Sequence, residues 1–303
     1  MIPFVRAMQF EYGRVQSVSP LIRRVVADNP GPFTFTGTGA HIIGHGQVAV
    51  IDPGPDQESH LEAILAATRG ETISHIFVTH GHLDHSPLAR PLAATTGAVI
   101  YAGGEPCRPS DGAARLEAGD DLVFRPDVAL SDGRAFRGPG WTIQAVATPG
   151  HTSNHYAFAL AEEHALFPGD CVMGWSTSVV SPPDGDMGDY LESLMKIRTR
   201  RYDTLWPAHG PPIRDVEPFL AAYVAHRRKR AGDILAALEA QGATSIRRLV
   251  AELYADVDRR LHPAAAHSVL AHLIHLRRAG AVECAGPPTL AAVWRLRRLR
   301  RAA

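Results

Sequence analysis

The stretch Thr79-His80-Gly81-His82-Leu83-Asp84-His85 places four potential metal ligands within six residues. It follows an apolar run, residues 73–78, that is typical of a buried strand. Imidazole and carboxylate groups are the ligands that zinc and similar divalent ions prefer. Strand alternation points His80 and His82 to the same side, and the turn after them can bring Asp84 and His85 toward a second ion. A polar loop is the alternative in a chain with 16 histidines, but this spacing favours a metal site.

The composition is that of a globular protein with room for two domains. The chain has 303 residues, 45% of them hydrophobic and 20% charged. No apolar run approaches the ~20 residues that a membrane span needs. The N-terminal residues lack a basic region followed by a long apolar stretch, and the three cysteines (Cys107, Cys171 and Cys284) are scattered and odd in number. We therefore expect a cytoplasmic protein without disulfides or a membrane anchor.

The formal net charge is zero, but the charge is unevenly distributed. Residues 217–303 hold 15 Lys and Arg against 7 Asp and Glu, whereas residues 1–216 hold 16 against 24. This asymmetry predicts two domains, residues 1–216 and 217–303, the second with affinity for anions. Five of the arginines lie between positions 295 and 301, so much of the basic character belongs to a terminal tail.

Short β-rich runs alternate with turn residues through the first two thirds of the chain. Candidate ligands follow the ends of these runs, each beside a glycine or proline: Asp52, the histidine-rich motif, His151, Asp170 and His209. Loops that are held by a rigid sheet commonly carry catalytic groups. Helical segments lie between the strands, so the fold class is mixed α/β.

The pattern becomes helical after Pro211-Pro212. Residues 219–238, 246–254 and 263–278 are predicted helices, and residues 282–285 with 290–294 predict a small hairpin. Three helices followed by a hairpin are the layout of a winged-helix domain.

The strand-end residues divide into two sets of donors. One ion would be held by three histidines, His80, His82 and His151. A second ion would be held by Asp84, His85 and His209, with Asp170 bridging the two. Two ions about 3.5–4 Å apart can share a hydroxide whose pKa is near 7, and we expect that hydroxide to be the nucleophile. Asp84 and Asp170 are then the catalytic carboxylates, with zinc as the expected metal and manganese or iron as alternatives.

These motifs resemble those of the metallo-β-lactamase superfamily, and they occur in the same order. The resemblance covers residues 18–216 and implies a four-layer αβ/βα sandwich with the metals at one edge of the two sheets. It also implies that Asp52 orients ligands and loops without binding metal itself.

Further segments resemble the beta-lactamase-like protein 2 branch of that superfamily. They are residues 29–34, 51–55 and 174–190, the pair His226-Arg227, and residues 271–273. Members of this branch include a single-strand-specific endoribonuclease. The chain departs from its relatives at His41, where they usually have a small polar residue, and this histidine is expected to alter the rim of the site.

Three more side chains are candidate substrate contacts. The segment from Trp175 to Tyr190 is polar, rich in Gly and Pro, and predicted to be a loop, with Ser176 and Tyr190 as its leading contacts. His155 lies four residues after His151 and is the third candidate. Cys171 is predicted to point away from the site, because alternation places it opposite Asp170, and to behave as a small buried apolar residue.

Three functions compete. The favoured one is hydrolysis of phosphodiesters in single-stranded RNA, which combines the metal chemistry with the branch resemblance and the basic second domain. The second is hydrolysis of a small molecule with a thioester, lactone or β-lactam carbonyl, because the same hydroxide attacks either centre. The third is a winged-helix nucleic-acid-binding regulator whose metal domain senses a ligand, and it is disfavoured because the third helix has Arg277 and Arg278 only at its end. The second domain is expected to cover the active-site groove or to mediate self-association as a homodimer.

Overall fold

Two β-sheets lie face to face in the computed structural model, which describes residues 2–105 and 119–297. Cys107 and the tail arginines Arg298, Arg300 and Arg301 lie outside the described residues. The first sheet has seven strands in sequential order, antiparallel from β1 to β4 and parallel from β4 to β7. They are β1 Gln16–Ser17, β2 Ile22–Val26, β3 Gly39–Ile43, β4 Gln47–Ile51, β5 Thr72–Phe77, β6 Val99–Ala102 and β7 Val128–Ala129.

The second sheet has five strands in the order β12-β11-β10-β9-β8. Neighbours are antiparallel except for β11 and β12, which are parallel. The strands are β8 Ala135–Gly138, β9 Trp141–Ala147, β10 Tyr156–Leu160, β11 Ala165–Phe167 and β12 Thr204–Leu205.

Strand alternation builds the layers of this sandwich. In β4, Ala49 and Ile51 face the apolar layer between the sheets, whereas Val48 and Val50 face the opposite side. Helices α1 (Glu58–Ala67) and α2 (Ala89–Thr96) cover that outer side, and α3 (Met187–Arg200) and α4 (Val216–Gln241) cover the outer side of the second sheet. Each fully buried aliphatic side chain contributes about 1.5–3 kcal/mol. The predicted four-layer αβ/βα sandwich is confirmed.

The C-terminal segment has the predicted winged-helix layout. After α4 come α5 (Ile246–Leu253) and α6 (His262–Arg278), with a 3₁₀ turn at Arg259–Leu261 between them. A small sheet in the order β13-β15-β14 completes it: β13 Thr244–Ser245, β14 Val282–Cys284 and β15 Val293–Leu296. Ser245 caps α5 by accepting from the backbone N of Arg248, which is why the helix begins there.

Helix α4 belongs to two apolar cores. Its first half places Phe219 and Tyr223 in the core on the second sheet, and its second half places Ile234 and Leu238 in the C-terminal core. The division of the chain between residues 216 and 217 stays a prediction. No helix in the described ranges is both long and apolar enough to span a membrane.

Gly150 is required by the close approach of α3 to the turn after β9. Its φ is +130°, and a Cβ there would lie 2.3 Å from the backbone N of Tyr190. Gly150→Ala should therefore lower the free energy of unfolding by about 3 kcal/mol, measured by urea denaturation. The matched control is Gly140→Ala, where φ is +75° and nothing lies within 4 Å, so only about 1 kcal/mol should be lost. Equal losses in the two variants would contradict the steric explanation.

Candidate metal centre

The predicted donors meet at one edge of the sandwich because each follows the end of a strand. The histidine-rich motif forms the turn after β5, His151 follows β9, Asp170 follows β11, and His209 follows β12. All seven side chains are buried: His80, His82, Asp84, His85, His151, Asp170 and His209.

Three histidine nitrogens converge on one point. His80 Nε2 lies 2.9 Å from His82 Nδ1, and His151 Nε2 lies 3.3 Å from the same atom. All three nitrogens lie within 4.8 Å of one another. Such a set can hold one divalent ion and leave a coordination position open.

A second group adjoins the first. His209 Nε2 lies 3.2 Å from Asp84 Oδ2 and 3.4 Å from Asp170 Oδ1, and His85 Nε2 lies 3.6 and 3.7 Å from the same two oxygens. His80, His85 and Asp170 also form a group with donor atoms within 4.8 Å, so the two sets are contiguous. Asp170 stands where a carboxylate could contact both ions.

The outer nitrogens of the histidines fix which nitrogen faces the cluster. His151 Nδ1 lies 2.7 Å from the carbonyl oxygen of Val179, and a carbonyl can only accept, so Nδ1 carries the proton. His209 Nδ1 likewise faces the carbonyl of Gly37, at 3.3 Å. The inward Nε2 of each ring is therefore the nitrogen that would face a metal ion.

Asp52 is held away from the cluster. One carboxylate oxygen accepts from the backbone N of Thr79 at 2.8 Å, and the other accepts from its hydroxyl at 2.8 Å. The second oxygen also lies 3.0 Å from His85 Nδ1, and the Thr79 hydroxyl lies 3.0 Å from His80 Nδ1. Asp52 thus contacts the outer side of His85, as expected of a residue that orients ligands. Sequence analysis missed Thr79, whose position before the motif was its only signal.

The chemistry of the donor set fits metal ions. Within the described residues, three buried atoms of the second group face one another at ion-pair distance without a hydrogen bond of good geometry: His85 Nε2, His209 Nε2 and Asp170 Oδ1. Buried polar atoms are normally satisfied, and a divalent ion would satisfy these three together. Nitrogen and oxygen donors without a thiolate suit zinc, manganese or iron.

The two groups differ in their electrostatics. Burial, followed by repulsion from His151, lowers the pKa of His82 to about 3, and burial with neighbouring histidines holds the pKa of His80 well below its usual range. Burial acts in the same direction on His209, but Asp170 and Asp84 outweigh it and raise that pKa to about 10. His80 and His82 are thus neutral imidazoles, while the second group couples imidazoles to two carboxylates.

Two of the three predicted substrate contacts are corrected by the structure. Tyr190 is completely buried, and its hydroxyl donates to the carbonyl of Cys171 at 2.8 Å. The sequence predicts a loop up to Tyr190, but α3 begins at Met187 because the Asp186 carboxylate caps it. His155 is also completely buried, with its ring 5.1 Å from that of His80. Neither side chain is exposed on the surface of the site as expected, whereas Ser176 is half-exposed and stays a prediction.

The expectation for His41 was wrong. Its ring is buried in the layer between the sheets, 5.0 Å from Phe167 and 6.3 Å from Trp206. Burial, followed by the charge of Arg24, lowers its pKa to about 3. It is a neutral core residue and does not line the rim.

Asp120 is a neighbour of the cluster that sequence analysis missed. Its carboxylate lies 3.6 Å from His82 Nε2, the nitrogen opposite the one that faces His80. A carboxylate on the outer nitrogen of a ligating histidine orients the ring and makes it more basic. No local motif marks Asp120, because the fold brings it to His82 from a distant part of the chain.

Cys171 lies beside Asp170 and is predicted to be unreactive. Its side chain is completely buried, and burial raises the pKa of the thiol to about 12. At pH 8 the thiol is therefore protonated, and thiolates are the reactive form. Native protein treated with iodoacetamide should show the Cys171 peptide unmodified by mass spectrometry, and urea should make it react. Modification of native Cys171 within minutes would contradict this burial.

Comparison with known proteins agrees with the geometry. The profile of the metallo-beta-lactamase superfamily matches residues 38–209, which include all seven donors. The chain belongs to this superfamily. A second profile, the beta-lactamase associated winged helix domain, matches residues 245–287. As a member of the superfamily, this protein is a metal-dependent hydrolase.

Individual relatives cover most of the chain. A beta-lactamase-like protein 2 homolog from Caenorhabditis elegans is 31% identical over 278 residues, 89% of this chain and 88% of the relative. An atrochrysone carboxyl ACP thioesterase from Claviceps purpurea is 30% identical over 253 residues, 80% of this chain and 74% of the relative. A beta-lactamase domain protein from Burkholderia ambifaria has the same fold, with a TM-score of 0.79, 24% identity and coverage of 97% of this chain and 96% of that one.

Proposed function

We propose that this superfamily member hydrolyses thioesters at a two-metal centre. The observation that carries the proposal is the contiguous pair of donor groups joined at Asp170. His80, His82 and His151 would hold one ion, and Asp84, His85 and His209 the other, with zinc as the expected metal. The substrate class comes from the relative that is named a thioesterase and is 30% identical over most of both chains.

When bound, the two ions would supply a hydroxide at neutral pH and polarise the substrate carbonyl. The reaction consumes one water: an oxygen bonds to the carbonyl carbon, the C–S bond breaks, and a carboxylic acid and a thiol leave. The residues of the chain hold this arrangement rigid. Asp52 and Thr79 fix His85 and His80 from behind, so that little reorganisation is needed during reaction.

Single-stranded RNA, the substrate favoured by the sequence, has weaker support. That hypothesis needs an exposed basic face on residues 217–303, but several cations there are engaged within the protein. The Arg227 guanidinium donates to the carbonyl of Ser178, and Arg278 pairs with Asp186. Lys229 pairs with Asp233 at 2.8 Å.

DNA recognition also finds little support. In a winged helix that binds DNA, the recognition helix must be free to enter the major groove. Here much of α6 is buried, and it contacts the metal domain through His267, whose Nδ1 lies 2.8 Å from Ser181 Oγ. The C-terminal domain is better suited to shaping the active-site region than to reading a duplex.

A substrate panel tests the proposal. Protein loaded with zinc would be assayed on an acyl-N-acetylcysteamine thioester, a γ-lactone, a β-lactam and a labelled unstructured RNA, each with and without chelator. Thioester hydrolysis that is lost with chelator is the expected result. Cleavage of RNA by protein that leaves every thioester intact would refute the proposal and restore the RNA hypothesis.

A further inference from the structure

Residues 171–179, here called the connecting segment, join one donor of the metal centre to the carbonyl that holds another. The segment begins directly after Asp170 and ends at Val179, whose carbonyl accepts from His151 Nδ1 at 2.7 Å. It forms neither helix nor strand, so its backbone groups need partners other than those of a helix or a sheet. The shape of this segment therefore decides where Asp170 stands and how the His151 ring is turned.

Arg227 on α4 holds the end of the connecting segment. Its side chain is 4% exposed, and its guanidinium donates to the carbonyl of Ser178. That carbonyl and the backbone N of Val179 belong to one planar peptide unit, so the bond fixes the plane next to the carbonyl that accepts from His151. A hydrogen bond from a charged donor is stronger than one between neutral groups.

The charge of Arg227 is unusual for a residue that only fills space. In the part of the chain that the structure describes, no carboxylate pairs with this guanidinium, which lies over the Tyr190 ring at 5.0 Å from its centroid. Burying a cation without a carboxylate costs solvation free energy, and an apolar side chain of similar length would avoid that cost. The cation is therefore better explained by its hydrogen bond than by packing.

Tyr190 holds the beginning of the connecting segment. Its hydroxyl donates to the carbonyl of Cys171 at 2.8 Å, and Cys171 directly follows Asp170. The Ser178 hydroxyl donates to the same carbonyl at 3.1 Å, so the two ends of the segment are also tied to each other. Because the Tyr190 ring lies under the Arg227 guanidinium, the two side chains act together on one piece of backbone.

We infer that Arg227 and Tyr190 are positioning residues for the metal centre. Arg227 acts on the His151 ring through the backbone of residues 178–179, and Tyr190 acts on Asp170 through the carbonyl of the next residue. The inference rests on the two-metal centre of the proposed function and holds whichever substrate is cleaved. A helix that is shared with the C-terminal domain thereby supports the geometry of the metal donors.

Arg230 provides a matched control on the same helix. It lies three residues after Arg227 and makes the same kinds of contact: its guanidinium donates to the carbonyl of Leu253 at 2.8 Å and lies over the Tyr254 ring at 4.1 Å. Both of these partners belong to the C-terminal domain. Arg227→Met and Arg230→Met therefore remove the same group from one helix, but only the first releases the connecting segment.

Zinc affinity tests the role of Arg227. The wild type and both variants would be titrated with zinc in competition with a chromogenic chelator, and their Co²⁺-loaded forms would be compared by visible absorption spectroscopy. Arg227→Met should weaken the binding of one ion about tenfold and shift the Co²⁺ bands, because His151 loses its fixed orientation. Arg230→Met should change the affinity by less than about twofold and leave the bands in place. Equal zinc affinities of wild type and folded Arg227→Met, or equal losses in the two variants, would overturn the inference.

Tyr190→Phe is a milder variant, which carries the test if Arg227→Met does not fold. It removes the hydroxyl that holds the Cys171 carbonyl and keeps the ring beneath Arg227. We expect zinc affinity to fall about tenfold and the Co²⁺ bands to shift, since Asp170 is no longer held in place. Tyr254→Phe, which alters the ring beneath Arg230, is the control and should leave both unchanged. A Tyr190→Phe protein with the zinc affinity and the spectrum of the wild type would contradict its positioning role.

These measurements separate the inference from the proposed function, because neither requires a thioester. If zinc affinity divides the variants as expected, the inference stands even when no thioester in the panel is cleaved. If the wild type hydrolyses thioesters but the folded Arg227→Met and Tyr190→Phe proteins bind zinc as it does, the inference is wrong and the proposed function is unaffected.

Discussion

Asp170→Asn should lower kcat/KM for thioester hydrolysis about a thousandfold. Asp170 Oδ1 lies 3.4 Å from His209 Nε2 and 3.7 Å from His85 Nε2. Its negative charge therefore acts on the second donor group and on the point where the two donor groups meet. The amide keeps the volume but removes the negative charge that would compensate two dications. A loss of about 4 kcal/mol in transition-state stabilisation corresponds to three factors of ten in rate.

The control for this variant is Asp132→Asn. Asp132 is an exposed carboxylate that pairs with Lys196 at 2.9 Å, an interaction worth less than about 1 kcal/mol. Both proteins would be compared by steady-state kinetics with zinc present and by circular dichroism. A folded Asp170→Asn protein with more than a tenth of wild-type activity would show that Asp170 does not join the two ions.

Metal loading should raise the melting temperature by about 10 °C. An ion that binds only the folded state at a thousand times its dissociation constant contributes about 4 kcal/mol, and each kcal/mol moves the transition of a protein of this size by a few degrees. Elemental analysis of the loaded protein should give about two ions per chain. Chelator should remove the ions, the stabilisation and the activity together.

His209→Ala separates the two groups in the same experiment. His209 contacts both carboxylates of the second group, whereas the three histidines of the first group do not depend on its side chain. The variant should hold about one ion per chain and keep part of the thermal stabilisation. A wild-type protein that never holds more than one ion under zinc-replete conditions would refute the dinuclear arrangement.

Local patterns were enough to predict a mixed α/β fold and the donors of the site, whereas the four layers were implied by the family resemblance. Residues 48–51 alternate between two apolar cores, and each donor follows a strand end beside a turn residue. Each of these features can be recognised from a few neighbouring residues in the sequence. The winged-helix layout followed from helix starts such as Ser245 and Pro263.

Features that depend on packing between distant segments could not be predicted in this way. Tyr190 was expected at the surface because the polar sequence before it suggested a loop, yet the Asp186 cap starts α3 early and turns the ring inward. Asp120 and Thr79 carry no motif of their own. Their roles are visible only once the fold places them behind His82 and His80.

Helix α4 makes the protein a single cooperative structure rather than two modules on a tether. Because its 26 residues are shared by both cores, opening the C-terminal domain would expose Phe219 and Tyr223 together with Ile234 and Leu238. The orientation of the two domains is then set by one continuous helix and not by a flexible linker. The Arg227 guanidinium on this helix donates to the carbonyl of Ser178, one residue from the carbonyl of Val179 that holds His151, so two hydrogen bonds link the helix to the metal centre.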